Sequence, residues 1–557
     1  MKKRNKVLAL LLTGAVLAGS LSGCGNQTEN KESSVSASTS ETKTSEISKT
    51  SEPVAETPSE PEKAAVTYPI DTDIELDVYL AGLAACNSVY ANHNESYWHS
   101  KIADQTGIFV NFMPRITDTA AELMYFSNEA EAPDVLCTNQ RKIVDYSADG
   151  IILDLTDYLP EYAPNYWEFI NRPENEMVKR SVTTEDGRYY SFPGMRENEY
   201  GITYMGPMIR QDWLDECGLK APVTLEDWEN VLVTFKEKYG ATLTGTLSDF
   251  KTSGICSGTG ATAQLQASLV VEDGVVIFAN SQEEWHEYVD VLAKWYKMGL
   301  IDPDFFTADR NLIRQKAIEG KTGVTVSALS QMGNLIDDAK AENTGAVWVG
   351  LEHPRTAAGE PTSMIQTTYS IYGNNGNLSL SAYIDEEKIP VALAWLDFWF
   401  SEEGLMYANY GIEGETYTIV DGEPRFTDMV MKDEGGISQV ITKYTGWNGS
   451  FVGIQLEGFL RAKYAEMPEV MEAVDMWITN SEARERIMPL VTLTEAELAD
   501  YNDNWNAINT YVSENAVKHI KGDITIDWDA FNKEIEKMGL EKCIAAYQSA
   551  YDRFMSK

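Results

Sequence analysis

The sequence lacks the short motifs that mark several large enzyme classes. A phosphate-binding P-loop, the GxSxG motif of serine hydrolases and the HExxH motif of zinc peptidases are all absent. The sequence also has no EF-hand loop and no CxxC or CxxH pair, and its 5 histidines show no metal-ligand spacing. We therefore expect no catalytic residues, no metal site and no cofactor.

Cysteine is scarce and irregularly placed. Apart from Cys24, the chain has an odd number of widely spaced cysteines, which is not typical of a disulfide framework: Cys86, Cys137, Cys217, Cys256 and Cys543. Cys86 and Cys137 follow apolar runs, so we expect them to be small buried hydrophobic residues.

Basic residues are few in comparison with acidic ones. The chain has 45 Lys and Arg against 86 Asp and Glu, for a formal charge of −41, or −45 without the four basic residues at the start. Nucleic-acid binding depends on neutralising phosphates, so this charge argues against it. The acidity is typical of a soluble protein in an exposed, salty environment.

The first 23 residues predict a secretory signal peptide. A basic head at Lys2–Lys6 precedes the apolar run Val7–Leu17, which is shorter than the roughly 20 residues needed to span a bilayer. The following residues, Leu21–Gly23 and then Cys24, resemble a bacterial lipobox, which implies a lipidated (palmitate-bearing) Cys24. We expect a lipid anchor to the cell membrane, with the protein on the extracellular face. The alternative is an ordinary signal with an unrelated cysteine.

Residues 24–66 form the next segment. It is rich in Ser, Thr, Glu and Lys, so it cannot bury enough apolar surface to fold and is predicted to be a disordered linker. The remaining chain, from residue 67 to 557, is longer than one hydrophobic core usually supports, which predicts two lobes.

Strand and helix patterns alternate at the start of this body. We predict strands at Ile74–Leu83, Ile108–Met113 and Asp134–Cys137, with helices at Tyr97–Gln105 and Thr117–Ser127. This order is typical of an α/β lobe with a largely parallel sheet.

Later segments are predominantly helical. Helices are predicted at Thr224–Tyr239, with Thr224 at its start, and at Val391–Phe400. The chain from Glu495 to Phe554 also reads as helical, interrupted by a strand-like stretch at Asp523–Asp527. The fold class we predict is therefore α/β with two lobes.

Several phrases in the chain resemble one family. They are TGIFVNFM at 106–113, APDVL at 132–136, DGIILDLTDYLPEYAPN at 149–165, EDGRYYSFP at 185–193, IRQDWLDECGLKAPVTLEDW at 209–228, YGIEGETYTI at 410–419 and WDAFNKEIEKMGLEKCIAAYQSAYDRF at 528–554. With the lipobox and linker, they resemble the Gram-positive lipoprotein extracellular solute-binding proteins (family 1 type) of carbohydrate ABC importers.

This resemblance implies a two-lobed type II periplasmic-binding-protein fold with a ligand cleft between the lobes. We expect lobe 1 to comprise 67–196 with 365–425, and lobe 2 to comprise 197–364 with 426–557. The hinge is expected to cross near Met195–Tyr200 and to return near Gln366–Tyr372. The implied partners are an oligosaccharide and the permease subunits, with the receptor a monomer whose closure signals to the permease.

Candidate ligand contacts follow from position, because residues after strand ends and at hinges face the cleft of such proteins. Thr138 and Asn139 follow the third strand, and Asn198 lies at the hinge. Trp447 lies in a glycine-containing loop, which favours it as a stacking residue over Trp213 or Trp228. The predicted ligand-binding set is Asn139, Arg196, Glu197, Tyr200, Tyr369, Glu413, Glu415, Tyr417 and Trp447.

Three alternatives stay open. The ligand could be a peptide or another small solute, and the same fold could serve a surface sensor that does not transport. A surface glycoside hydrolase would need two carboxylates at a fixed separation across a cleft, and no such pair is marked in the sequence.

Overall fold

The computed structural model describes residues 66–80, 89–90, 92–138, 140–252, 254–367, 376–447 and 453–557. The predicted signal peptide, Cys24, nearly all of the linker and Cys86 lie outside these residues. Within the described part of the chain, none of the helices combines the length and apolarity required to cross a membrane.

Short strands are distributed along the described chain. Their bounds are β1 Glu75–Tyr79, β2 Phe109–Phe112, β3 Val135–Thr138, β4 Gly194–Arg196, β5 Met205–Arg210, β6 Thr242–Thr244, β7 Leu269–Glu272, β8 Val275–Phe278, β9 Thr322–Ala328, β10 Trp348–Gly350, β11 Asn377–Leu380, β12 Tyr417–Val420, β13 Glu423–Phe426 and β14 Gly453–Gln455.

Helices account for much of the remaining body. In the first half they are α1 Ile102–Thr106, α2 Thr119–Phe126, α3 Gln140–Ala148, α4 Leu159–Tyr162, α5 Pro164–Ile170, α6 Glu176–Val182, α7 Glu199–Ile202, α8 Gln211–Cys217, α9 Leu225–Tyr239, α10 Leu247–Phe250 and α11 Glu283–Lys297. In the second half they are α12 Arg310–Ile318, α13 Leu329–Ala341, α14 Ile389–Phe398, α15 Glu402–Tyr410, α16 Asp428–Met431, α17 Ile437–Tyr444, α18 Glu457–Lys463, α19 Pro468–Ile478, α20 Glu495–Lys521, α21 Trp528–Lys537 and α22 Leu540–Ser556.

Two four-stranded sheets organise the body as two lobes. In the first, with strand order β11-β3-β1-β2, the strands β1, β2 and β3 are parallel and β11 is antiparallel to β3. In the second, with order β10-β5-β9-β6, β5 is antiparallel to both neighbours and β6 is parallel to β9. The α/β fold with two lobes that the sequence predicts is confirmed.

Helices cover the sheets by burying apolar faces. Helix α14 is buried almost throughout and packs in the core of the first lobe. Helix α9 starts where the sequence predicts, because Thr224 and Asp227 form a capping box. Trp213 and Trp228 are buried in the core of the second lobe, as expected from their helical surroundings.

Two local predictions need correction. The stretch Asp523–Asp527 is not a strand: it connects α20 and α21, and Asp527 caps α21 by accepting a hydrogen bond from the N–H of Ala530 at 3.0 Å. Cys137 is half-buried, whereas Cys256 and Cys543 are fully buried; the described cysteines are free thiols.

The end of α22 and the residue after it form ion pairs with two other segments. Helix α22 packs on α20, and its Arg553 forms a two-pronged contact with Glu497 of α20 at 2.6 and 2.7 Å. The same guanidinium donates to Glu185, between α6 and β4, at 3.1 Å, and the ammonium of Lys557 lies 3.2 Å from Glu185. We call these contacts the α22 clasp.

Candidate functional site

Two stretches of chain connect the sheets and lie side by side. The first is β4, α7 and the residues before β5, and the second contains Gln366 and Thr367. The N–H of Tyr204 donates to Oε1 of Gln366 at 3.0 Å, and Thr203 Oγ1 donates to Thr367 Oγ1 at 3.1 Å. These bonds hold the two connections together.

Arg196, at the end of β4, lies against an aromatic ring. Its guanidinium carbon is 5.0 Å from the centre of the Trp447 ring, a cation–π contact. Its aliphatic part packs on Gly201, where an added Cβ would come within 2.8 Å of Arg196 Cδ. Arg196 is half-buried, and burial lowers the pKa of its guanidinium group to about 10, so the group stays charged at neutral pH. No carboxylate in the described chain forms an ion pair with it.

Trp447 is more enclosed than the sequence predicts. The ring is buried, and its Nε1–H donates to Oδ1 of Asn409 at 3.0 Å. An indole held on its edge by an amide and on its face by Arg196 does not offer an open stacking surface in this conformation. Stacking by Trp447 on a sugar therefore stays a prediction that requires Arg196 to move.

The residues after Arg196 make contacts that fix the turn. Glu197 Oε2 accepts from the N–H of Glu457 at 2.7 Å, and Asn198 Nδ2 donates to Glu457 Oε2 at 2.6 Å. Asn198 also caps α7, and the hydroxyl of Tyr200 donates to Asp475 Oδ1 at 2.5 Å. These side chains tie α7 to α18 and α19.

The glycine-rich stretch before β12 is on the surface. Glu413 and Glu415 are exposed, and Glu415 accepts a hydrogen bond from the hydroxyl of Tyr97. Tyr417 is buried against Tyr410, with ring centres 5.5 Å apart. This arrangement matches a structural turn rather than a set of groups directed at one point.

The remaining candidates lie at or beyond the edge of the described chain. Thr138 is the last residue of β3, is buried, and pairs with Asn377 of β11. Asn139 and Tyr369 are outside the described residues, so their part in the site stays a prediction.

A cavity of mixed polar and apolar lining lies beside the second connection. It has a volume of about 110 Å³ and is formed by residues from three parts of the chain, 251–270, 363–367 and 483–487. Its lining residues are Lys251, Thr252, Thr262, Gln264, Gln266, Ser268, Leu269, Val270, Ser363, Met364, Ile365, Gln366, Thr367, Ala483, Arg486 and Ile487. The mixture of apolar and polar groups is typical of a small-molecule site, and the volume suits one group or ring of a ligand.

Two glutamines of this cavity have their acceptor atoms occupied. Oε1 of Gln366 accepts from Tyr204, as described above, and Oε1 of Gln264 accepts from the N–H of Gly254 at 3.1 Å. Because only an oxygen can accept from a backbone N–H, these bonds fix the orientation of both amides. The NH2 group of Gln366, a residue that is 5% exposed, has no hydrogen-bond partner in the described chain.

Gly254 is required by this geometry. Its φ of +72° is unfavourable for other residues, and an added Cβ would lie 2.9 Å from the carbonyl oxygen of Met364. The glycine lets the loop approach Gln264 closely enough for the bond that orients its amide.

The charges in the cavity are positive. Lys251 is half-buried, and burial lowers the pKa of its ammonium group; it forms no ion pair with any described side chain. Arg486 is 3.4 Å from Glu482 and 4.0 Å from Glu272, so its charge is partly matched. Lys251 is therefore the cation whose charge is not balanced nearby.

Sequence reasoning missed most of this cavity. Only the Gln366–Thr367 step lies in a stretch that the sequence singles out, namely the expected hinge return. Lys251, Gln264 and Arg486 have no local signature, because their role depends on segments that are distant in sequence. Within the described ranges, no group of three or more His, Cys, Asp or Glu side chains could hold a metal ion.

Sequence comparison finds related proteins that align with most of this chain. The fructooligosaccharide ABC transporter substrate-binding protein FusA of Streptococcus pneumoniae serotype 4 is 23% identical over 492 residues, 83% of this chain and 88% of the relative. The polygalacturonan/rhamnogalacturonan-binding protein YtcQ of Bacillus subtilis is 24% identical over 422 residues, 72% of this chain and 76% of the relative. These relatives are binding proteins rather than enzymes.

Solved structures share the fold. Alginate-binding protein AlgQ2 without calcium ion matches with a TM-score of 0.69 and 20% identity, over 88% of this chain and 100% of that one. FusA of S. pneumoniae in complex with kestose matches with a TM-score of 0.67 and 17% identity, over 87% of this chain and 100% of that one. Residues 90–406 match the family described as bacterial extracellular solute-binding protein. The chain is a member of this family of bacterial extracellular solute-binding proteins.

Proposed function

We propose that this protein captures a carbohydrate, specifically an oligosaccharide, outside the cell and delivers it to the permease subunits of an ABC importer. Membership of an extracellular solute-binding family supports the location and the binding role. The names of FusA and YtcQ, which refer to fructooligosaccharide and to polygalacturonan or rhamnogalacturonan, support a saccharide as the solute.

The observation that carries this proposal is the cavity beside Gln366 and Thr367. Sugars present many hydroxyl groups, each of which both donates and accepts hydrogen bonds, and the cavity offers amide, hydroxyl and charged groups in a largely apolar setting. Because the second connection lines this cavity, we expect a ligand there to favour one relative position of the lobes. A ligand that binds the closed form more tightly shifts the population towards it, and this is the state we expect the permease to recognise.

Arg196 is the hinge residue that we keep as the strongest ligand contact from the sequence. It is charged, half-buried and without a carboxylate partner in the described chain. We propose that Glu197 and Tyr200 stabilise the turn at α7. Asn139 and Tyr369 remain proposed ligand contacts.

Attachment to the membrane is part of the same proposal. A lipidated Cys24 would anchor the protein as a monomer, and the following polar segment would hold the two lobes away from the surface. A single acyl chain binds membranes only marginally, so two or more chains are expected on Cys24.

A thermal-shift screen of the purified protein against mono- and oligosaccharides tests the proposal. A ligand that binds only the folded state raises the melting temperature by mass action, equivalent to about 2.7 kcal/mol at a hundred times its Kd. We expect a shift with one glycan class and no release of product. A shift with peptides alone would refute the carbohydrate assignment, and release of new reducing ends would refute a pure binding role.

A further inference from the structure

The charge of the cavity is opposite to that of the chain. Acidic residues outnumber basic ones by 86 to 45 over the whole sequence. Nevertheless Lys251 and Arg486 line the cavity, and among its described lining residues there is no Asp or Glu. A half-buried ammonium group that has lost part of its hydration and has no carboxylate partner favours an anionic ligand, which supplies the missing charge.

The neutral groups of the cavity point to the same chemistry. The side-chain oxygens of Gln264 and Gln366 each accept from a backbone N–H group, which orients both amides, and the buried NH2 group of Gln366 has no partner among the described residues, so it offers donors to a ligand. The hydroxyls of Thr252 and Ser363 instead donate to the carbonyls of Ser248 and Ala261, at 3.1 and 2.8 Å, and so keep their acceptor electrons for sugar hydroxyls. Donors for an acidic group thus lie beside acceptors for hydroxyl groups.

We propose that the solute is an acidic oligosaccharide, and that Lys251 and the NH2 group of Gln366 bind the carboxylate of a uronic acid residue. This inference rests on the proposed function and specifies its substrate class. One unmatched cation fits a singly charged carboxylate better than a doubly charged phosphate, because Glu482 and Glu272 already partly match Arg486. A carboxylate that accepts from an ammonium and an amide gains charge-assisted hydrogen bonds, which are the strong ones.

Isothermal titration calorimetry with pairs of ligands tests the proposal. Each uronic acid oligosaccharide of a panel is compared with its methyl ester, which keeps the shape and removes the charge. For at least one pair we expect the acid to bind about tenfold or more tightly than the ester, as a charge-assisted contact requires. Higher salt should reduce this preference.

Two variants and a matched control assign the preference to the cavity. Lys251→Met removes the charge at similar length, and we expect it to abolish the preference for the acid. Gln366→Glu keeps the oxygen that accepts from Tyr204 but replaces the donor by a second oxygen, so it should favour the ester over the acid. Lys533→Met, at an exposed position of α21, removes one positive charge elsewhere and should leave the preference intact.

The outcomes separate the two proposals. Equal affinity for acid and ester, binding of neutral glycans alone, or a preference that survives Lys251→Met would overturn the acidic-ligand inference and leave the proposed function in place. Failure of every saccharide to bind the folded protein would overturn the proposed function, and this inference with it. Melting temperatures of the variants show whether a loss of binding reflects loss of the fold.

Discussion

Asp397 gives the protein a stability that depends on pH in a direction opposite to that of most carboxylates. Its side chain is fully buried in α14 and accepts hydrogen bonds from Asn165 Nδ2 at 2.7 Å and from the N–H of Tyr166 at 2.8 Å. Burial outweighs these bonds and raises the pKa of Asp397 from 3.8 to about 6. The carboxyl group is therefore easier to protonate in the folded chain than in the unfolded one.

The sign and size of the effect follow from linkage between protonation and folding. Because the folded state binds the proton more tightly, this group contributes most stability below about pH 4 and loses that contribution as the pH rises through about 6. At 1.36 kcal/mol per pH unit, the difference between the two pKa values corresponds to about 3 kcal/mol. The amide side chain in the Asp397→Asn variant does not titrate, so the variant does not lose this stability as the pH rises.

Urea unfolding of the wild type and of Asp397→Asn, followed by tryptophan fluorescence from pH 4 to 8, measures the effect. We expect the variant to gain about 2.4 kcal/mol relative to the wild type across this range, mostly between pH 4 and 6.5. Asp529→Asn, at an exposed position in α21, controls for the general effect of removing one negative charge. The reasoning would be refuted if the free energy of unfolding of Asp397→Asn, relative to that of the wild type, stayed constant or fell with rising pH.

Three further substitutions probe the packing around Gly206, the α22 clasp and the proposed ligand site. Gly206→Ala should lower the free energy of unfolding by about 1–3 kcal/mol, measured in urea, because the added methyl overlaps the ring of Trp477. Arg553→Leu removes the centre of the α22 clasp and should lower the melting temperature by the equivalent of about 1 kcal/mol, less so at high salt. Arg196→Met should weaken binding of the identified glycan about tenfold in calorimetry. The substitution removes the guanidinium group that lies on the Trp447 ring and that we propose as a charged ligand contact.

Matched controls make these outcomes decisive. Lys518→Met breaks an exposed pair with Glu514 within α20, so a salt-dependent loss as large as that of Arg553→Leu would refute a special role for the clasp. Arg425→Met removes a cation from the exposed β12–β13 hairpin, and an equal loss of affinity there would show that the Arg196 effect is general electrostatics. Unchanged stability in Gly206→Ala would mean that Trp477 can move aside.

The parts of the fold that could be predicted are those with a local cause. The strands β1, β2 and β3 have the expected places because each is a short apolar run bounded by polar or turn-forming residues. Thr224 and Asp227 carry their capping interaction within one turn, so the start of α9 could be read directly. The antiparallel strand β11 joins β3 from much later in the chain, and nothing local reports such a pairing.

The site was harder to predict than the fold, because its residues come from segments that are distant in sequence. Arg196 could be proposed as a ligand contact because it adjoins the expected hinge. Lys251, Gln264 and Gln366 become a group only when the chain folds, since glutamine and lysine in isolation are typical surface residues. Trp447 stays a proposed stacking residue, but a glycine-containing neighbourhood does not report that Asn409 and Arg196 enclose its ring.

The cation-lined cavity in a strongly acidic chain has a kinetic consequence. An anionic ligand is repelled by the protein at long range and attracted only on arrival at Lys251. At 0.15 M salt the Debye length is about 8 Å, so added salt screens the long-range repulsion more than the short-range contact inside the cavity. Association should therefore become faster as salt is added, unlike in electrostatically steered binding, while dissociation also accelerates. We therefore expect both binding and release of an anionic ligand to become faster as the salt concentration rises.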